Sequence, residues 1–240
     1  MVTRLDFRIL PQPDDSTCGP TCLHAVYSYY GDALPLPRVV DEVEKLPGGG
    51  TLAVLLGCHA LSRGYSAALY TYDLQVFDPT WFSGPPVDMA RKLEAQIEAK
   101  PQRRKVRAAC RAYMRFLAQG GSIRFEELSS ALLRRMLKRG LPVLTGLSAT
   151  YLYGTARELG QGDALVYDDV RGEPAGHFVV LCGYRREERA VLVADPLLPN
   201  PMSRDQIYEV RMSRLIHSIM LGTLTFDANL LIIAPKGTAI

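Results

Sequence analysis

Among five cysteines and four histidines in a chain of 240 residues, one cysteine stands where its thiol is set up for chemistry. Cys18 lies in "QPDDSTCGPTC", residues 12–22, where a polar turn runs into the apolar stretch "CLHAVYSYYG". The first turn of a helix offers free backbone N–H groups and the positive end of the helix dipole. Both favour a thiolate, the form of cysteine that attacks carbonyls. Gly19 leaves room for a substrate to approach the backbone. A nucleophile also needs a base and a group to orient that base. His24, His59 and His217 sit inside apolar helical stretches and read as structural. His177 differs, because it opens the strand-like run "HFVVLCGY" after the loop "RGEPAG". If 177–184 and 190–195 form a hairpin, Asp195 ends beside His177. A carboxylate there would fix the imidazole tautomer and stabilise the imidazolium. Gln12, in the loop before Cys18, could join the Cys18 backbone N–H as a donor to a developing oxyanion.

These residues need elements to hold them. "RLDFRIL" alternates like a short strand. The segment from Cys18 to Gly31 predicts a helix, capped by Ser16 or Thr17, with Pro20 in its first turn. Further helices are expected over "PLPRVVDEVEKLPGGG", ending in a glycine turn, and over "TLAVLLGCHALSRGY", capped by Thr51. "YSAALYTYDLQVF" reads as strand. Residues 79–140 read as three charged amphipathic helices. After Gly140 the pattern turns to β in "LPVLTGL", "HFVVLCGYR", "RAVLVADP" and "NLLIIAP". A last helix is expected over "SRDQIYEVRMSRLIHSIM". The late apolar stretch "SIMLGTLTFDANLLIIAP" contains Asp227 and Asn229, so it reads as two strands and a turn, not a membrane span. The expected class is α+β, helices first and a mostly antiparallel sheet second.

Composition narrows the functional classes. The chain is 48% hydrophobic and 22% charged, as in ordinary globular domains. A net charge of +3 is too small to imply a nucleic-acid partner. The basic runs at 100–111 and 134–139 read first as solvated helix faces. Arg103, Arg104, Lys105, Arg134, Arg135 and Lys138 are expected to face solvent. Near a cleft mouth, the basic helices 100–139 would favour an acidic substrate or partner. An odd number of cysteines scattered through apolar segments fits a reducing compartment. No apolar run near the start suits a signal peptide, so the expected location is the cytoplasm.

Gln12, then Cys18-Gly19-Pro20 opening a helix, then "GHFVVLCGY" and "ADP" resemble the C39-like cysteine peptidases of the papain-like superfamily. The resemblance covers roughly residues 8–72 and 140–200 and suggests a stand-alone bacterial form. It implies a papain-like fold with a helical half packed on a sheet half. It implies Cys18 as nucleophile, His177 as base, Asp195 as orienter and Gln12 in the oxyanion hole. It implies a peptide or protein substrate. No cofactor or metal is expected. Residues 1–240 are then expected to form one domain, with 79–140 as a helical insertion that shapes or covers the cleft. Many relatives carry an acidic residue directly before the cysteine, where this chain has Thr17. Other readings stay open. The same machinery becomes an acyl or peptidyl transferase if an amine replaces water. An inactive papain-like scaffold could serve as a binding module, although all four site residues are present. Cys18, Cys22 and His24, with Cys58-His59, form a C-x3-C-x-H cluster whose spacing is not a standard zinc pattern. Substrate choice would rest on loops at 47–51, 79–88 and 148–176, which carry no readable specificity code.

Overall fold

Alternate residues of the central strands enter two different cores, and that division fixes the architecture. The computed structural model describes residues 2–46, 49–161 and 164–240. The chain opens with β1 (Val2–Arg4), α1 (Cys18–Tyr29), α2 (Leu36–Glu42), α3 (Ala53–Ser62) and β2 (Ser66–Thr71). The middle section holds α4 (Met89–Ala99), α5 (Arg104–Ala118), β3 (Ser122–Arg124) and α6 (Ser130–Lys138). Then come β4 (Val143–Ser148), α7 (Ala149–Tyr153), the hairpin of β5 (Glu158–Gln161) and β6 (Ala164–Tyr167), β7 (Gly176–Arg185) and β8 (Ala190–Ala194). β9 (Ile207–Arg211), α8 (Met212–Leu221) and β10 (Asn229–Ala234) complete the chain.

The main sheet runs β3-β2-β10-β4-β7-β8-β9, with β1 also paired to β7. Every pairing is antiparallel except β2 with β3. Phe178, Val180 and Cys182 of β7 face a core shared with α1, α3 and α5. Val179 and Leu181 face a second core built with α6 and α8. Burial on both faces explains why the central strands read as nearly unbroken apolar runs instead of alternating ones. The class is α+β with a mostly antiparallel sheet, as the sequence predicts, and the N-terminal helices pack on one face. The helices over the opposite face make a further layer.

Helices α4 and α5 pack against one another, and α5 lies on α3. Val106, Ala109, Cys110 and Phe116 of α5 join the core that also holds Leu23 and Val26 of α1. Glycine at Gly57 of α3 allows this close approach, because a Cβ there would stand 2.7 Å from the Phe116 ring.

Several local expectations change. The predicted final helix is two elements: Ile207–Arg211 is a strand, and only Met212–Leu221 is helical. In "IYEVR", Tyr208 and Val210 are buried while Glu209 and Arg211 are exposed, a period of two that favours strand. The stretch 218–235 holds the end of α8, a short 3-10 turn at Gly222–Leu224 and one strand, not two strands and a turn. The strand expected over 4–10 is confined to Val2–Arg4, and that over 65–77 to Ser66–Thr71. Leu52, not Thr51, is the N-cap of α3, and the Thr51 hydroxyl donates to the Glu44 carbonyl instead. The glycine turn expected around 47–50 lies partly outside the described residues.

Candidate active site

Cys18 is the first residue of α1. Thr17 occupies the N-cap position but makes no side-chain cap. Its hydroxyl donates to the Asp14 carbonyl at 2.9 Å and accepts from the Asp14 N–H at 3.1 Å, which closes the preceding loop. The first-turn amides of α1 therefore receive no cap from Thr17, and Pro20 has no N–H to satisfy. Cys18 is partly exposed. Cys22, one turn on, is fully buried, and its thiol donates to the Phe178 carbonyl at 3.2 Å.

β7 brings its first residues to the same end of the sheet. His177 is buried, and its Nε2 lies 2.8 Å from Asp195 Oδ1. With Nε2 engaged, Nδ1 is the nitrogen left for Cys18, which is close enough to act on the ring's charge. The hairpin of β7 and β8 is present, with Ala194 opposite Val180, so Asp195 follows the end of β8 beside the start of β7.

Asp195 has 0% exposure, and both of its oxygens are fully used. Oδ1 accepts from His177 Nε2–H and from the Leu197 N–H at 3.0 Å. Oδ2 accepts from the Tyr153 hydroxyl at 2.8 Å and the Tyr208 hydroxyl at 2.6 Å. Burial alone would raise this carboxyl, but His177 and these donors hold it below its ordinary value, at about 2. Burial likewise works against a charged His177, and the Asp195 carboxylate outweighs it, so the imidazole is pushed above its ordinary value. Asp195 is thus ionised and His177 protonated at neutral pH.

Gln12 is held at the rim. Its backbone N–H donates to the Pro196 carbonyl at 2.9 Å, tying its loop to the turn after Asp195. Its Nε2 donates to the Asp14 carbonyl at 3.0 Å. One hydrogen of that amide remains for another acceptor. The Gln12 Oε1 is buried without a partner.

Three contributions to this site carry no plain sequence signal. Tyr153 follows a run with no decisive period. Tyr208 lies in a short segment whose period of two merges with the pattern of the helix that follows it. Glu158 of β5 has its carboxyl raised by burial and by Asp15, and it senses His177, so the β5–β6 hairpin stands beside the site. The other histidines sit elsewhere. His59 is paired with the Tyr27 hydroxyl at 2.7 Å and Glu42 at 3.1 Å. His217 meets Tyr151 at 3.4 Å on the surface. Among the described residues, no group of three or more His, Cys, Asp or Glu is arranged to hold a metal ion. The cluster of Cys18, Cys22, His24, Cys58 and His59 is therefore not assembled as a metal site. Also among the described residues, no helix is long and apolar enough to cross a membrane. Arg103, Arg104, Lys105, Arg135 and Lys138 are exposed, and Arg134 is half-buried.

Residues 108–216 match the Peptidase_C39 like family, a stretch that contains His177 and Asp195 but not Cys18 or Gln12. No curated protein matches the chain. Among solved structures, a protein of Bacillus anthracis described as a C39-like peptidase is 12% identical, with a TM-score of 0.50. That match covers 99% of this chain and 100% of the other. A double glycine motif protease from an AMS/PCAT transporter, in complex with a leader peptide, is 14% identical over 97% of this chain and 94% of that one, with a TM-score of 0.47. The peptidase domain of Streptococcus ComA is 13% identical over 95% and 98%, with a TM-score of 0.46.

Proposed function

We propose, for a chain that is C39-like in its family match and in its fold, a cysteine peptidase in which Cys18 is the nucleophile, His177 the acid and base, and Asp195 the group that orients His177. One observation carries the reading: a buried, fully satisfied His177–Asp195 pair at 2.8 Å, with the free side of the imidazole toward Cys18.

The geometry supports the following sequence of steps. The thiolate form of Cys18, facing the His177 imidazole, attacks the carbonyl carbon of a peptide bond. The carbonyl oxygen gains charge and is met by the Cys18 N–H and the remaining Gln12 amide hydrogen. As the C–N bond breaks, His177 gives its proton to the leaving amine, and the acyl group stays on sulfur as a thioester. Water then attacks, its proton passes to His177, and the carboxylate product leaves. Asp195 stays ionised throughout and stabilises the imidazolium.

Residues 1–240 act as one domain in this reading, with 79–140 inserted to shape the cleft. The packing of α5 on α3 and its share in the α1 core support that role. Five free thiols support a reducing, cytoplasmic setting. The test is mass-spectrometric analysis of a peptide mixture incubated with wild-type, Cys18→Ala and His177→Ala protein. Cleavage by the wild type and none by Cys18→Ala is the expected result. Equal cleavage by Cys18→Ala would overturn the proposal.

A further inference from the structure

We infer that the cavity bordered by α6, the β7–β8 turn and the start of α8 binds a small molecule that carries a chain of phosphate groups and a planar or apolar end. The site lies at the other end of β7 from the catalytic pair. The inference goes beyond the peptidase reading and does not depend on it.

His177 stands at the start of β7 and Arg185 at its end, a separation of about 26 Å along an extended strand. Beyond Arg185 the chain turns through residues 186–189 into β8, and β8 pairs with β9, which runs into α8. Helices α6 and α8 pack on the sheet face that also buries Tyr184. Between these parts lies a cavity of about 1090 Å³, at the upper limit of size for small-ligand sites. Arginines dominate its lining: Arg134 of α6, Arg185, Arg186 and Arg189 of the hairpin, and Arg211 before α8. Two carboxylates, Glu187 and Glu188, share it. Arg186 has Glu187 within electrostatic range. Arg185 pairs with Glu209 at 2.7 Å and meets Glu188 at 3.5 Å, whereas Arg134, Arg189 and Arg211 have no ion-pair partner among the described residues. Like charges gathered without counter-charges repel one another, and a bound anion removes that repulsion.

The kind of cation narrows the ligand. Every cation lining the cavity is an arginine, with no lysine among the described residues. A guanidinium is a planar fork that grips phosphate oxygens two at a time and stacks on flat groups. Free guanidiniums from three separate elements suit an anion whose oxygens are spread along its length better than a single carboxylate. The floor is different in kind: Tyr184, Ala190 and Met212 line it and are buried. Phosphates thus match the rim, and a planar or apolar group matches the floor. The concavity favours a small molecule over duplex DNA or a membrane, which present broad surfaces.

The turn adds a second observation. Arg189 has a φ of 50°, in the left-handed region that few residues other than glycine adopt. Its carbonyl accepts from the Met212 N–H at 2.8 Å, which fastens the turn to the first residue of α8. Glycine would serve that backbone better, so the arginine is explained by its side chain. The first turn of α8 has no side-chain cap and no acidic residue, and its positive end adds to the pull on an anion.

Isothermal titration calorimetry of the intact protein at low salt tests the site, with ATP, inorganic tripolyphosphate, a short DNA duplex and phosphatidylglycerol vesicles as probes. ATP and tripolyphosphate should bind, ATP more tightly, and added salt should weaken both. Arg134→Ala and Arg189→Gly should each weaken binding by about tenfold or more. Glycine suits the φ at 189, so the thermal midpoint of Arg189→Gly should hold while its binding falls. If that midpoint drops, Arg134→Ala, on the surface of α6, decides alone. No binding of ATP or tripolyphosphate, or binding unchanged by the substitutions, would overturn the site. Tripolyphosphate binding as tightly as ATP would overturn the planar end. DNA or vesicles that bind more tightly than ATP, with the same dependence on Arg134 and Arg189, would overturn the small molecule as the ligand.

Discussion

Asp195 is the residue on which the site's electrostatics turn, and its partners show why. Three uncharged donors and the His177 imidazole converge on two buried oxygens. Replacing Asp195 by Ala would leave two tyrosine hydroxyls, one amide and the imidazole without their acceptor. Breaking a buried pair in this way costs about 3–5 kcal/mol, which urea denaturation should show as a lower midpoint at neutral pH. The positions of Cys18 at a helix start and of His177 beside Asp195 were legible in the sequence because each sits at an element's start or end with a distinctive residue type. The tyrosines were not legible. A tyrosine in an apolar run reads as core, and only the tertiary fold shows that the Tyr153 and Tyr208 hydroxyls are aimed at a carboxylate.

At the scale of elements, β4 and β7 place the site, and their packing is tight at one point. Gly146 of β4 runs against the backbone of Asp227, where a Cβ would stand 2.5 Å from the Asp227 carbonyl oxygen. Backbone cannot swing aside as a flexible side chain can. Gly146→Ala is therefore expected to destabilise by about 1–3 kcal/mol, read from a thermal or urea midpoint. It should also slow turnover, because the segment that moves borders Gly176 and His177. The central strands and amphipathic helices were readable because their apolar runs and helical stripes are long. The short elements were not. β3 has three residues, and β5 and β6 have four each, too few for a period to declare itself. β9 was lost because five alternating residues adjoin a true helix and merge with its pattern.

Across the whole molecule, two buried carboxylates outside the His177–Asp195 pair, Asp227 and Asp73, add to the response to pH. Burial pushes Asp227 up to about 7, and Asp73 nearby adds to it; burial pushes Asp73 to about 6. In the unfolded chain both return to ordinary values near 3.8. Between those limits the folded state binds more protons, so stability falls as pH rises from about 4 to about 7. His177 acts over a higher window, its contribution being complete below about 6.5 and lost as pH climbs through its raised folded value, about 10. Asp195 acts lower, its contribution being lost as pH falls from about 4 toward about 2. Asp227→Asn should flatten the loss between pH 4 and 7, leaving the part due to Asp73. Urea unfolding across that range measures it, and an unchanged slope would mean that Asp227 does not titrate there. The overall layout was readable from the switch at Gly140 from helical to β patterns. The two-faced burial of the sheet was not, since apolar runs do not reveal which helices cover which face.

Alkylation of the native protein by iodoacetamide at neutral pH, mapped residue by residue by mass spectrometry, tests the central claim most directly. Cys18 should be modified well before Cys22, Cys58, Cys110 and Cys182. His177→Ala, with its circular dichroism unchanged, should slow Cys18 by about 10²-fold or more. Cys18 among the slowest thiols, or a Cys18 rate indifferent to His177, would contradict the account.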